Sequence, residues 1–96
     1  MKRLIFYSQC RENYGTPEKP HWKFKFGGDY FVGVDDNISH EEINELFKKA
    51  QAKIDFANPY SEEWLLGCYL AEYTEYEQQQ LKESGIITDP AIKLEL

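Results

Sequence analysis

Polar and apolar positions alternate along parts of this chain and recur with helical spacing in one stretch. Residues 2–8 (KRLIFYS) form a β-branched and aromatic run that reads as a buried strand. In WKFKF, Trp22, Phe24 and Phe26 fall on one side and Lys23 and Lys25 on the other, the period-two pattern of a half-buried strand. Residues 9–21, with Asn, Gly and two Pro, read as the loop between these strands. Gly27-Gly28-Asp29 suits a tight hairpin turn, with YFVGV at 30–34 as the returning strand.

Ser39-His40-Glu41-Glu42 has capping-box spacing, flanked by Ile38 and Ile43 as a hydrophobic staple. Ile43, Leu46, Phe47, Ala50 and Ile54 then share one helical face, opposite Glu41, Glu45 and Lys48. Glu45 and Lys49 add an i,i+4 pair. The helix should end near Ile54 or Asp55, ahead of Asn58-Pro59. Residues 63–73 (EWLLGCYLAEY) fit either a long strand with a bulge at Gly67 or a helix running on to Ser84. A second capping box, Thr74-Glu75-Tyr76-Glu77, favours a helix that begins at Glu75 and closes at Gly85, and hence a strand before it. The fold class expected is α+β: a mostly antiparallel four-stranded sheet with two helices packed on one face, in the order β-β-β-α-β-α.

Ninety-six residues suit a single domain, with 88–96 expected as a loosely held tail. A composition 42% hydrophobic and 16% aromatic is too rich in core-forming residues for a disordered chain. No apolar run reaches the ~18–20 residues that span a bilayer, and the apolar stretch near the amino terminus, Leu4 to Tyr7, is too short for a secretory signal. Cys10 and Cys68 match no metal or redox spacing and read as free thiols, so the cytoplasm is the expected compartment.

Charge is uneven. The net value is −6, yet residues 1–25 hold six Lys/Arg against two Glu, and residues 54–81 hold six acids and no base. Lys23 and Lys25, with Arg11, could form a basic strip; beside exposed aromatic rings it would suit single-stranded nucleic acid. The aromatic residues of WKFKF point away from these lysines, however, and are more readily placed in the core. The acid-rich stretch also carries Tyr60, Trp64, Tyr69, Tyr73 and Tyr76, a combination suited to protein recognition. These tyrosines could equally shield an open sheet face. The expected partner-binding residues are Glu62, Glu63, Tyr69, Glu72, Tyr73, Glu75, Tyr76 and Glu77, facing a partner with a basic surface.

A nucleophilic-cysteine site would need a base beside Cys10 or Cys68, and neither His21 nor His40 lies in a motif that supplies one. Asp35-Asp36-Asn37 reads as a turn ahead of a helix in preference to a cation site. No catalytic residue, metal or cofactor is assigned.

Residues 5–34 (IFYSQCRENYGTPEKPHWKFKFGGDYFVGV) resemble a family of small uncharacterised bacteriophage proteins that carry an FYxQxRENYG segment followed by W-K-x-K-x-G-G-x-Y. The likeness covers about a third of the chain, and its specific part is the Arg11-Glu12-Asn13-Tyr14-Gly15 loop, expected to be ordered. It implies an accessory protein of the host bacterial cytoplasm that acts by stoichiometric binding. The expectation is a non-enzymatic monomer or small homo-oligomer that binds, and could inhibit, a host protein such as a restriction or CRISPR defence component. The alternative is a nucleic-acid-binding module using Lys23, Lys25 and Arg11.

Overall fold

A computed structural model describes residues 2–71, 79–80, 83–84 and 91–96. The chain runs β1 (Lys2–Asn13), β2 (Trp22–Val34), α1 (His40–Ile54), β3 (Phe56–Ala57), β4 (Ser61–Ala71) and β5 (Ile92–Lys93). The strands form one curled, mixed sheet in the order β3-β4-β1-β2-β5. β1 lies at its centre, antiparallel to both β2 and β4, while β5 is parallel to β2 at Tyr30–Phe31.

This arrangement corrects the expected one. There are five strands, not four, the sheet is mixed, and α1 is the one complete helix among the described residues. The second helix, expected from Glu75, lies for the most part outside them. β1 absorbs residues 9–13 from the expected loop, and the reversal of direction is confined to residues 14–21. Residues 91–96, read as part of a loose tail, supply β5 and seat Leu94 against the core, its N–H donating to the Phe31 carbonyl at 2.9 Å.

Gly27-Gly28 makes no hairpin. Both glycines lie inside a continuous β2, where the register slips so that two residues oppose Ser8 alone. A Cβ on Gly27 would stand 2.3 Å from Ser8 Oγ, so close approach of two backbones, and not a turn, requires glycine there. β4 slips at the same level, between Gly67 and Leu65. Each slip inverts the in/out alternation of its strand. Tyr30, Val32 and Val34 of β2 pack on the α1 side, whereas Trp22, Phe24 and Phe26, of the same parity, pair with the opposite face of β1. On β4, Cys68 and Leu65 face the main core, and Trp64 joins Tyr69 on the other side.

The main core therefore sits at one end of the sheet. Leu4, Phe6, Val32, Val34 and Leu65 meet Ala50 and Ile54 of α1, with Ile43, Leu46 and Phe47 packed around them. Burying a side chain the size of Leu4 or Phe6 stabilises the fold by about 1.5–3 kcal/mol. Ser39 caps α1 through its oxygen, which accepts from the Glu42 N–H at 3.2 Å; the Glu42 carboxylate accepts in return from the Ser39 hydroxyl. Asn58 shapes the β3–β4 turn by accepting from the N–H groups of Tyr60 and Ser61. A smaller cluster on the reverse face joins Ile5, Phe31 and Ala71, with Ala91 against it. Cover thus comes from both sides of the sheet, not from one.

Candidate docking face

A fifteen-residue helix is about 22 Å long, whereas a strand of twelve or thirteen residues extends for about 40 Å. One helix cannot cover such a sheet lengthwise. The uncovered part comprises the second half of β1, the first half of β2 and the start of β4. On the face turned away from α1, Phe24 is 66% exposed and Phe26 83% exposed. Tyr7, Leu66 and Tyr69 are also exposed, and Trp22 and Trp64 are half-buried. The register carries Gln9 between Phe26 and Trp64, and Arg11 between Phe24 and Glu62.

The side chains on this face support one another. The Phe24 and Trp64 rings meet edge-on across β1 at 6.4 Å. Tyr7 and Tyr69 lie 6.2 Å apart, and Tyr7 leans over Gly67, where a Cβ would come within 2.5 Å of its hydroxyl. Tyr7, Gln9, Phe24, Phe26 and Leu66 line an open groove of about 400 Å³. Further along the same face, the Arg11 guanidinium lies 4.1 Å from the centre of the Trp22 ring, and its Nε is 2.7 Å from Glu62 Oε2. That bond lowers the Glu62 pKa and raises that of Arg11.

Asn13 fixes the turn that follows. Its buried amide donates to the carbonyls of Thr16 and Pro59, and its Oδ1 accepts from the N–H groups of Gly15 and His21. Glu12, on the α1 side, pairs with Lys25 at 2.8 Å, which lowers the Glu12 pKa and raises that of Lys25. Lys23 and Lys25 both lie over the Tyr14 ring. Every side chain of the Arg11–Tyr14 segment thus has a partner.

Behind the open face lies a polar cluster on the α1 side. Glu63 Oε2 accepts from the Ser8 hydroxyl at 2.7 Å and from Tyr30 at 2.9 Å, and Ser8 Oγ accepts from the Gly28 N–H. Burial, and then the Glu63 carboxylate, push the Tyr30 phenol up to about 12. Burial and the same carboxylate raise the Cys10 thiol, and burial raises Cys68, the reverse of what a thiolate nucleophile requires. Among the described residues no group of three His, Cys, Asp or Glu side chains is placed to hold a metal ion, and no helix is long and apolar enough to cross a membrane.

Of the expected partner-binding residues, Glu62 and Tyr69 share the open face, while Glu63 points to the other side and is occupied by Ser8 and Tyr30. Glu72, Tyr73, Glu75, Tyr76 and Glu77 lie outside the described residues. The acid-rich stretch holds no base of its own, but Arg11 of β1 reaches across to neutralise Glu62. The basic strip does not assemble either: Arg11 is on the open face, Lys23 and Lys25 on the opposite one. The residues missed as a surface are Tyr7, Phe24, Phe26 and Leu66. Comparison with protein-family models, with curated proteins and with solved structures finds no match to this chain.

Proposed function

We propose that this chain is a non-enzymatic binding protein whose open sheet face docks stoichiometrically onto another protein. The observation that carries the reading is the exposure of Phe24 and Phe26 within a continuous aromatic surface. Exposed apolar patches of this kind are characteristic of interaction sites, and rings anchored by neighbours bury large area with little loss of entropy. The near-neutral pairing of Arg11 with Glu62 leaves apolar contact, not charge, as the main attraction. The likeness of residues 5–34 to small bacteriophage proteins supports a host protein as the partner, in the bacterial cytoplasm. The test is affinity capture from bacterial lysate by the parent chain and by Phe24→Ser/Phe26→Ser. A protein retained at one-to-one stoichiometry by the parent and lost by the variant is the expected result; equal retention by both would overturn the reading.

Ring exposure also favours a second reading, a stacking platform for single-stranded nucleic acid. Against it, Lys23 and Lys25 project from the face without those rings, and Lys25 is held by Glu12. If phosphate contacts matter, single-stranded DNA should bind at low salt and lose affinity steeply as salt rises, and Lys23→Glu/Lys25→Glu should abolish binding. Absence of binding at low salt removes this reading.

A further inference from the structure

The outer edge of β2 carries a feature distinct from its face. β5 pairs with this edge at Tyr30 and Phe31 and goes no further. Among the described residues nothing pairs with the edge from Trp22 to Asp29. About every second residue of that segment therefore turns its backbone N–H and C=O outward, away from β1. The edge already accepts one strand, so its geometry is suited to pairing.

Resting on the docking face proposed above, we propose that this edge receives an extended segment of the partner as an added strand, and that the segment alternates acidic and apolar side chains. Two rows of side chains set that chemistry. On one side of β2, Phe24 and Phe26 would lie beside the apolar residues of the incoming strand and extend the groove floored by Tyr7 and Gln9. On the other, Lys23 and Lys25 would lie beside its carboxylates, and cross-strand pairs of opposite charge stabilise a ladder where like charges oppose it. Glu12 already engages Lys25, whereas Lys23 has Tyr14 for a neighbour and no carboxylate partner among the described residues, so Lys23 dominates the selection. A second copy of this chain is disfavoured at the same place, because antiparallel pairing of β2 with itself sets lysine against lysine. The irregularity at Gly27-Gly28 ends the regular ladder, which limits the added strand to about five or six residues.

The test uses the full chain labelled with nitrogen-15 and three blocked octapeptides. One alternates Glu with Val, one alternates Lys with Val, and one is the Glu/Val peptide N-methylated along one edge. The Glu/Val peptide should bind and shift the amide resonances of residues 22–28, with the Lys/Val peptide at least tenfold weaker. N-methylation should abolish binding, and Lys23→Glu should reverse the preference. Absence of binding, equal binding of Glu/Val and Lys/Val, or shifts confined to another surface would overturn strand addition. The lysate capture separates the two ideas. Loss of the captured protein in Phe24→Ser/Phe26→Ser alongside failed peptide titrations leaves the face and removes the added strand. Successful titrations with unchanged capture remove the face and leave the edge.

Discussion

The two ends of this sheet are built from the same three strands but held by different forces. At one end, Leu4, Phe6, Val32 and Val34 are buried against α1, and Ile5, Phe31 and Ala71 are covered on the reverse face. At the other, the aromatic side chains face outward, and order comes from polar clips: Asn13 across its turn, Arg11 on Glu62, and Glu63 on Ser8 and Tyr30. Apolar burial stabilises the first end, and hydrogen bonds worth roughly 0.5–1.5 kcal/mol each hold the second in shape. The comparison teaches that apolar residues at the clipped end can remain exposed because the shape of that end does not depend on burying them.

The largest expected difference is between two phenylalanines. Phe6→Ala, at a fully buried position, should destabilise the fold by about 3–5 kcal/mol in chemical denaturation, whereas Phe26→Ala should stay within about 0.5 kcal/mol of the parent. A large loss from Phe26→Ala would break the distinction between the ends. Next comes Asn13→Ala, which removes four hydrogen bonds from a buried side chain and should cost about 1–3 kcal/mol. Hydrogen exchange in that variant should accelerate at Gly15 and His21, with the protection of β1 residues 3–6 unchanged.

A titration sharpens the comparison further. The phenol of Tyr30 is raised from its ordinary 10.0 to about 12, so its neutral form contributes stability that is fully present below pH 10 and lost as pH rises from there to 12. Tyrosinate absorbance should therefore include a late-ionising component that disappears in Tyr30→Phe. In Glu63→Gln that component should ionise earlier, though still above 10, because burial is the larger cause. The smallest effect belongs to Glu62→Gln. The carboxylate of Glu62 is lowered by Arg11, so its contribution is present above the ordinary 4.5 and fades as pH falls through the lower folded value. The variant should flatten that acid limb of the stability curve slightly, without altering the neutral plateau.

Much of α1 was legible in the chain. Its cap, apolar face and end at Ile54 follow from side-chain spacing that local rules govern. The reading of residues 63–73 as strand holds as far as Ala71. The sheet was less legible, because alternation within WKFKF separates two faces without saying which is covered. That choice is made at Ser8, where both neighbouring strands slip and their parity inverts. Tyr30 and Phe26 carry the same alternation in sequence and opposite faces in space. Glycine at 27, 28 and 67 was the available sign, since glycine inside a strand pattern signals a bulge as readily as a turn. The pairing of Arg11 with Glu62 joins positions 51 residues apart and has no local signature.

Both tryptophans of the chain, Trp22 and Trp64, lie at the clipped end and on the open face. Tryptophan emission, excited selectively over tyrosine, is therefore a local gauge of that region and not of the packing around Phe6. Emission should shift when a ligand settles on the Phe24–Trp64 pair, so binding can be followed without attaching a dye. On heating or in denaturant, the same signal can change before the far-ultraviolet circular dichroism of strands and helix does. A gap between those two curves would measure, in degrees or molar denaturant, how independently the clipped end melts.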